Sequence, residues 1–199
     1  MVEEAKGHHL GAWNMEQLAR LERPDRELLM PRDVVMGFVG VPFGGKVADV
    51  GAGLGWLTLP LALAVGSPGE VFAIDPSREA VEFIAERARQ AGLAQVRPCQ
   101  APAEATGLAD NFLDRIVWHI MYHDVADRDR ALGEMHRILK PGGRWIIVDW
   151  DKREMKEGPP LSVRMSPLDV ENEVERAGFK VLRHWSAGPV TWGITAEKP

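Results

Sequence analysis

Short apolar runs alternate along this chain with segments whose apolar residues recur at helical spacing. Val47–Val50, Val71–Ile74, Val96–Cys99, the run opening at Asp114–Trp118, and Trp145–Val148 read as strands. Between them Trp56–Val65, Arg78–Ala91 and Arg128–Leu139 read as helices, the last stopped by "KPGG". Pro60 is tolerable only if it falls in the first turns of its helix. A further helix over Pro167–Ala177 has Ser166 as its cap and Gly178 as its stop. Phe179–Trp185 and Val190–Ala196 follow as strands. The short "SAGP" connection between them predicts an antiparallel hairpin. Ahead of the alternation, Arg32–Val39 reads as a helix followed by the turn "VPFGGK". Residues 1 to about 30 read as polar helical segments broken by Pro24 and Pro31. There Met15, Leu18 and Leu21 share helical spacing behind Asn14 as cap.

Strands alternating with helices predict an α/β domain with a largely parallel sheet covered on both faces. Ligands of such sheets bind beyond the carboxyl ends of the strands, where the strand order switches. "VADVGAGLG", Val47–Gly55, lies at one such end. Glycine has no Cβ, so this loop can turn with positive φ and bring its backbone close to a ligand. The next helix points its first N–H groups into the same space. A nucleotide-like guest suits this loop, and a bare strand–helix turn is the competing reading.

Two cofactor classes compete. A dinucleotide loop needs Gly-x-Gly-x-x-Gly, whereas the spacing here is Gly51-x-Gly53-x-Gly55. Trp56 takes the third dinucleotide position, and its indole obstructs the close packing that glycine allows. Asp49 would repel a pyrophosphate and suits a ligand with positive charge. S-adenosylmethionine carries an ammonium and a sulfonium and no phosphate. Asp75, at the end of "VFAID", can accept both ribose hydroxyls in either class. It can also cap the following helix, with Pro76 at the first helical position.

With these residues in place, the chain resembles class I S-adenosylmethionine-dependent methyltransferases of the small-molecule, ubiquinone/menaquinone-type branch. The resemblance covers roughly residues 34–196, on "VADVGAGLGWLTLPLA", "VFAIDPS", "AEATGLADNFLDRIVW", "EMHRILKPGGRWIIVDW" and "SPLDVENEVERAGFKVLR". It implies a seven-stranded, mostly parallel Rossmann-like sheet flanked by helices, with an antiparallel C-terminal hairpin. It implies cofactor contacts from Asp49, Gly51, Ala52, Gly53, Gly55, Asp75, Pro76 and His119. The family often carries an acid after the third strand, and Pro102 stands there; adenine would then rest on the Ala103 N–H, apolar neighbours and Glu104. His119, Tyr122 and His123 in "WHIMYHDV" are the catalytic candidates. Packing beneath adenosine is the alternative for His119, and helix capping is the alternative for His123 and Asp124. Asp149 and Asp151 either line the acceptor site or are solvated loop acids. The resemblance makes residues 1–30 a helical lid over a cofactor-binding domain at 31–199. His8, His9 and Trp13 fall in that lid. Trp13 and Trp56 either offer aromatic faces to sulfonium or acceptor, or pack.

Composition narrows the acceptor. The formal net charge of -5 gives no general pull toward nucleic acid or anionic membrane. No apolar run reaches the roughly 20 residues of a membrane helix, and the N-terminus reads as no secretory signal. One cysteine, Cys99, excludes a disulfide framework and fits a reducing cytoplasm. His119 and His123 stand four apart without an evident third ligand, so no metal is expected. "HIMY" replaces the Asn/Asp-Pro-Pro-aromatic motif of amino-methylating nucleic-acid enzymes, and arsenite methyltransferases need more cysteines. A small organic acceptor is expected, methylated at O, N or C by a monomer or homodimer. A nicotinamide-dependent oxidoreductase and a non-catalytic S-adenosylmethionine-binding regulator are the alternatives.

Overall fold

The computed structural model describes residues 15–19 and 22–199. Helices α1 (Met15–Ala19), α2 (Arg26–Leu29) and α3 (Arg32–Val39) precede strand β1 (Lys46–Val50). Then come α4 (Thr58–Val65), β2 (Glu70–Asp75), α5 (Arg78–Gln90), β3 (Val96–Gln100) and β4 (Leu113–His119). After a 3-10 turn at Tyr122–Asp124, the chain forms α6 (Arg128–Ile138), β5 (Leu139–Trp150), α7 (Pro167–Arg176), β6 (Lys180–Gly188) and β7 (Thr191–Glu197).

The seven strands form one sheet in the order β3-β2-β1-β4-β5-β7-β6. The first five are parallel, and β7 runs antiparallel between β5 and β6. Alternation within the strands supplies both faces. Ile116, Trp118 and Trp145 pack with Leu132, Met135 and Ile138 of α6 and Val170 and Val174 of α7. Val117, Ile146 and Val148 face the other way, onto Val35 and Val39 of α3, Leu61 and Val65 of α4, and Ile84 of α5. The predicted class and hairpin are therefore the observed ones.

Local departures have local causes. The predicted Trp56–Val65 helix begins at Thr58, so Pro60 falls in its first turn, where a missing N–H costs nothing. "KPGG" follows the end of α6 at Ile138, as a stop should, and lies within the first residues of β5, across a register shift between Leu113 and Arg115. Contacts remote in sequence hold it there. Gly142 N–H donates to the Lys198 carbonyl at 2.7 Å, and Lys198 N–H to Gly143 at 3.1 Å. The Lys198 ammonium donates to Asn111 Oδ1 and the carbonyls of His136 and Leu139. Ser166 does cap α7, accepting the Asp169 N–H at 3.1 Å.

The described part of the N-terminal segment crosses the carboxyl edge of the sheet. Leu18 packs on Leu54, Ala80 and Phe83, and Arg87 donates to Glu22 at 2.9 Å. Further along, Met30 packs with Trp150 and Val190, joined by Ile120 and Met155. His8, His9, Trp13, Asn14 and Leu21 lie outside the described residues.

Candidate active site

Strand order reverses between β1 and β4, because β2 and β3 lie to one side and β5 to the other. The crevice above these two strand ends is the expected place for a ligand. Gly51, Gly53 and Gly55 follow β1 with φ of +70°, +52° and +79°. Residues with a Cβ resist such values. The Gly51 and Ala52 N–H groups both donate to the Ile74 carbonyl, at 2.8 and 3.1 Å. A Cβ on Gly51 would stand 2.9 Å from Met121 Sδ. The loop is thus tied to β2 beneath and roofed by the segment after β4.

Asp75 is the other half of this cradle. Its Oδ2 accepts the Gly53 N–H at 2.8 Å and its Oδ1 the Ser77 N–H at 2.9 Å. Burial raises its pKa, against the pull of these two N–H groups. The cap of α5 is Ser77, whose Oγ accepts the Ala80 N–H at 3.2 Å. Pro76 therefore precedes the cap and does not start the helix, and Asp75 is not the cap.

Asp49, next to last in β1, is 3% exposed and accepts the Thr58 hydroxyl at 2.6 Å. Burial, with Asp75 adding to it, pushes its pKa up to about 6 against the bond from Thr58 and the charge of Arg26. Arg26, 8% exposed on α2, has its own pKa lowered by burial to about 10. Its guanidinium lies 4.4 Å from the centre of the Trp56 ring, and that of Arg32 lies 4.0 Å from it. The structure gives the Trp56 ring to these two cations of its own chain.

After β3, the Ala101 N–H donates to the Asp75 carbonyl at 3.2 Å, which places this segment beside the cradle. Ala103 is buried there, and Glu104 Oε1 accepts the Asp127 N–H at 3.4 Å. The Cys99 thiol in β3 is half-buried, and burial pushes its pKa up.

His119 ends β4 at 7% exposure, and its Nε2 is buried without a hydrogen-bond partner among the described residues. Burial, helped by Arg26, holds its pKa well below the ordinary value, so the ring is neutral. Ile120 follows with φ of +60°, a strained value for a β-branched residue, and its N–H donates to the Val148 carbonyl at 2.8 Å. Tyr122 is fully buried against Trp118, and its hydroxyl donates to Glu173 at 2.7 Å. Burial and Glu173 together raise the phenol's pKa, so this hydroxyl is held in the core.

His123 is held differently. Its Nδ1 lies 2.8 Å from Asp149 Oδ1 and its main-chain N–H donates to Asp149 Oδ2 at 3.1 Å. The Trp150 N–H donates to the same carboxylate at 2.7 Å, so Asp149 is a buried, bonded acid and not a solvated one. His123 Nε2 stands 3.6 Å from Asp124. Burial lowers the pKa of His123, but Asp149 and Asp124 outweigh it and the net shift is upward. Asp151, by contrast, is partly exposed and pairs with Arg153 at 3.1 Å.

The structure thus gathers Asp49, the glycine loop, Asp75 and His119 at the ends of β1, β2 and β4. Asp149 joins from β5, and Ala103 and Glu104 flank the group. Sequence reading did not find Arg26, Arg32, the His123–Asp149 pair or Arg164. Arg164 is buried and donates to the carbonyls of Asp151, Arg153, Glu157 and Pro159, folding the segment after β5 back on itself. Pairing of this kind leaves no periodic signal; the only hint was an acid at the end of an apolar strand. The site fits S-adenosylmethionine: a side-chain-free cradle, an acid locked beside it, and a neutral imidazole with an unmatched ring nitrogen.

Residues 48–147 match the family model described as a methyltransferase domain. The ubiquinone/menaquinone biosynthesis C-methyltransferase UbiE of Yersinia pestis is 36% identical over 114 residues, 57% of this chain and 45% of that protein. The same enzyme of Erwinia tasmaniensis is 35% identical over 124 residues, 62% of this chain and 48% of that protein. The chain therefore spans about half the length of the curated relatives it matches. A SAM-dependent methyltransferase from Aquifex aeolicus has the same fold with a TM-score of 0.88 and 30% identity, over 94% of this chain and 100% of that one. The geranyl diphosphate C-methyltransferase of Streptomyces coelicolor, solved with S-adenosyl-L-homocysteine, shares the fold alone at a TM-score of 0.71 and 15% identity, over 100% of this chain and 94% of that one. The matched segment carries Asp49, the glycine loop, Asp75, His119 and His123, and by it the chain belongs to the S-adenosylmethionine-dependent methyltransferases of the methyltransferase-domain family.

Proposed function

We propose that this protein transfers the methyl group of S-adenosylmethionine to a small organic acceptor. The observation that carries the reading is the Asp75 carboxylate bridging the N–H groups of Gly53 and Ser77. Each oxygen keeps a lone pair for a ribose hydroxyl, and the bridge fixes their direction in advance. A pyrophosphate would instead meet the buried Asp49. When bound, the cofactor supplies a methyl group already activated by its sulfonium. The chain's task is then to align the acceptor and exclude water.

The acceptor would lie on the apolar surface of Met30, Ile120, Trp150, Met155 and Val190 at the strand ends. The packing of Leu18 and Met30 on either side of the cradle supports residues 1–30 as a lid over a domain of residues 31–199. His119 is assigned to the cofactor side. His123 is assigned to proton transfer from the acceptor through Nε2, since Asp149 engages Nδ1. Tyr122 supports the turn that carries His123. Net charge favours a small molecule over nucleic acid, and a single cysteine fits a cytoplasmic enzyme acting as a monomer or homodimer.

The test is a metabolite screen for S-adenosylhomocysteine release, paired with calorimetry against S-adenosylhomocysteine and NAD(H). Saturable binding of the first ligand and acceptor-dependent release are expected. Saturable binding of NAD(H) alone would overturn the proposal. Cofactor binding with no release on any acceptor would favour a regulatory binding protein.

A further inference from the structure

One buried hydroxyl in this molecule stands against an open cavity. Thr191 opens β7 at 2% exposure, and its Oγ1 has no hydrogen-bond partner among the described residues. It lies in register between Trp150 of β5 and Gly188 of β6, directly after Val190. Trp150 and Val190 belong to the apolar surface assigned above to the acceptor. Thr191 thus stands at the end of that surface farthest from β4 and Ile120. A hydroxyl buried without a bond is unfavourable, and a ligand oxygen that meets it removes the deficit.

The space beside it suits a neutral guest. A cavity of about 500 Å³, within the range of small-molecule sites, is lined by Thr191 together with Asp151, His184, Trp185, Ser186 and Trp192. Each of the other polar side chains on its wall is engaged. The Trp185 indole N–H donates to Thr195 Oγ1 at 3.2 Å, and that of Trp192 to the Trp150 carbonyl at 2.9 Å. The Ser186 hydroxyl donates to the Gly188 carbonyl at 2.9 Å. Asp151 pairs with Arg153 at 3.1 Å, and His184 with Glu171 at 2.9 Å. The charged side chains of the wall are therefore paired, and one hydroxyl is left for a ligand. The Leu29 carbonyl and Thr191 Oγ1 both close on the place a Cβ of Gly188 would take, yet they form no hydrogen bond with each other.

Resting on the methyl-transfer reading above, we infer that Thr191 is a specificity-determining residue whose hydroxyl bonds an oxygen at the end of the acceptor remote from the methylated atom. The cofactor cradle and His123 belong to the ends of β1 and β4, and β7 stands two strands beyond β4. Two strand spacings set the two ends of the acceptor about 10 Å apart. The acceptor is thereby a neutral, largely apolar molecule that spans this distance and carries a hydroxyl or carbonyl oxygen at its distal end.

Two probes and two variants of the full chain test this. Calorimetry against S-adenosylhomocysteine comes first, and Thr191→Val and Thr191→Ser should both keep its affinity within about twofold. Equilibrium dialysis on the protein saturated with S-adenosylhomocysteine then follows 2-naphthol and naphthalene, which differ by one hydroxyl. Thr191→Val should weaken 2-naphthol by about tenfold and leave naphthalene within about twofold. Thr191→Ser keeps the hydroxyl and should hold 2-naphthol within about threefold. Valine fills the same space without an unmatched hydroxyl, so ligand-free Thr191→Val should melt about 2 °C higher or more. A lower melting temperature would show that the hydroxyl bonds within the protein, and it overturns the assignment. So does a change of equal size for both probes, zero included, or a wild-type protein that binds neither. If the wild type does not bind S-adenosylhomocysteine, the methyl-transfer reading is what fails, and this assignment goes with it.

Discussion

The Gly53 N–H donates to Asp75 Oδ2 at 2.8 Å, joining the loop after β1 to the end of β2 across 22 residues of chain. The strands beneath are already in register, Val50 against Ile74. The bond therefore adds no new topology. It sets the orientation of a carboxylate and the shape of a glycine turn at the same time. An acid held this way needs no reorganisation when a ribose arrives.

Removing that carboxylate should cost both functions. Asp75→Ala is expected to weaken S-adenosylhomocysteine by roughly 1.5–3 kcal/mol, the range for charge-assisted bonds left unmade. Asp75→Asn should fall between, because its single amide oxygen cannot serve both the Gly53 and the Ser77 N–H. Calorimetry on the folded variants decides the matter, and unchanged affinity in Asp75→Ala would remove the residue from the site.

Gly51→Ala probes the roof of the cradle. The new Cβ meets Met121 Sδ at 2.9 Å and keeps a φ of +70°, which costs an alanine roughly 1–2 kcal/mol. Both melting temperature and cofactor affinity should drop. Adding Met121→Ala should recover part of the loss but not the share due to φ. No recovery at all would show that Met121 does not press on the loop.

Elements whose signals are local were legible in the sequence. Val47–Val50, Val71–Ile74 and Trp145–Val148 lie inside observed strands, and the Arg78–Ala91 and Pro167–Ala177 helices end within a residue of those found. Capping by Ser166 was readable because the side chain and its N–H partner are three residues apart. What was missed depends on remote contacts. "KPGG" reads as a helix stop and α6 does end before it, but its place in β5 is set by Lys198, from the far end of the chain. For Asp75 the sequence offers both ribose contact and a helix cap from "DPSRE"; the structure removes the cap, because Gly53 donates to Asp75 and Ser77 caps the helix. Arg26 and Arg32 carry no signal in the sequence that singles them out. Only the fold brings Trp56 beneath them.

Asp49 makes cofactor affinity depend on pH. Its pKa in the folded protein is about 6 against an ordinary 3.8, because burial disfavours the charged form. Between about pH 4 and 6 the native state therefore binds a proton that the unfolded chain releases. This residue's contribution to stability accordingly grows as pH falls through that window. Ligand binding runs the opposite way, since an ammonium needs the ionised carboxylate. Affinity for S-adenosylhomocysteine should decline as pH drops through about 6 in the wild type. Asp49→Asn should bind less tightly near neutrality and lose that decline. A decline of equal size in both proteins would assign it to another group.

The His123–Asp149 pair gives the sharpest kinetic expectation. Asp149 holds Nδ1 at 2.8 Å, and Asp124 stands 3.6 Å from Nε2, the atom assigned the acceptor's proton. Asp149 and Asp124 also raise the His123 pKa above its ordinary value of 6.5. A group shifted that way lends stability below the unfolded pKa, and the gain disappears as pH rises through the folded one. In Asp149→Asn the raising charge is gone, so the imidazole should lose its proton at lower pH. The acid limb of kcat against pH, measured at saturating cofactor, should then move to lower pH while the plateau falls. His123→Ala should lower kcat by about 10²-fold or more, the usual share of general base catalysis. Its affinity for S-adenosylhomocysteine should stay within about twofold, because the cradle is built from other strands. A merely structural tie between the 3-10 turn and β5 would lower melting temperature in both variants without moving the limb. An unmoved limb in folded Asp149→Asn, together with a His123→Ala variant of wild-type kcat, would take proton transfer away from His123.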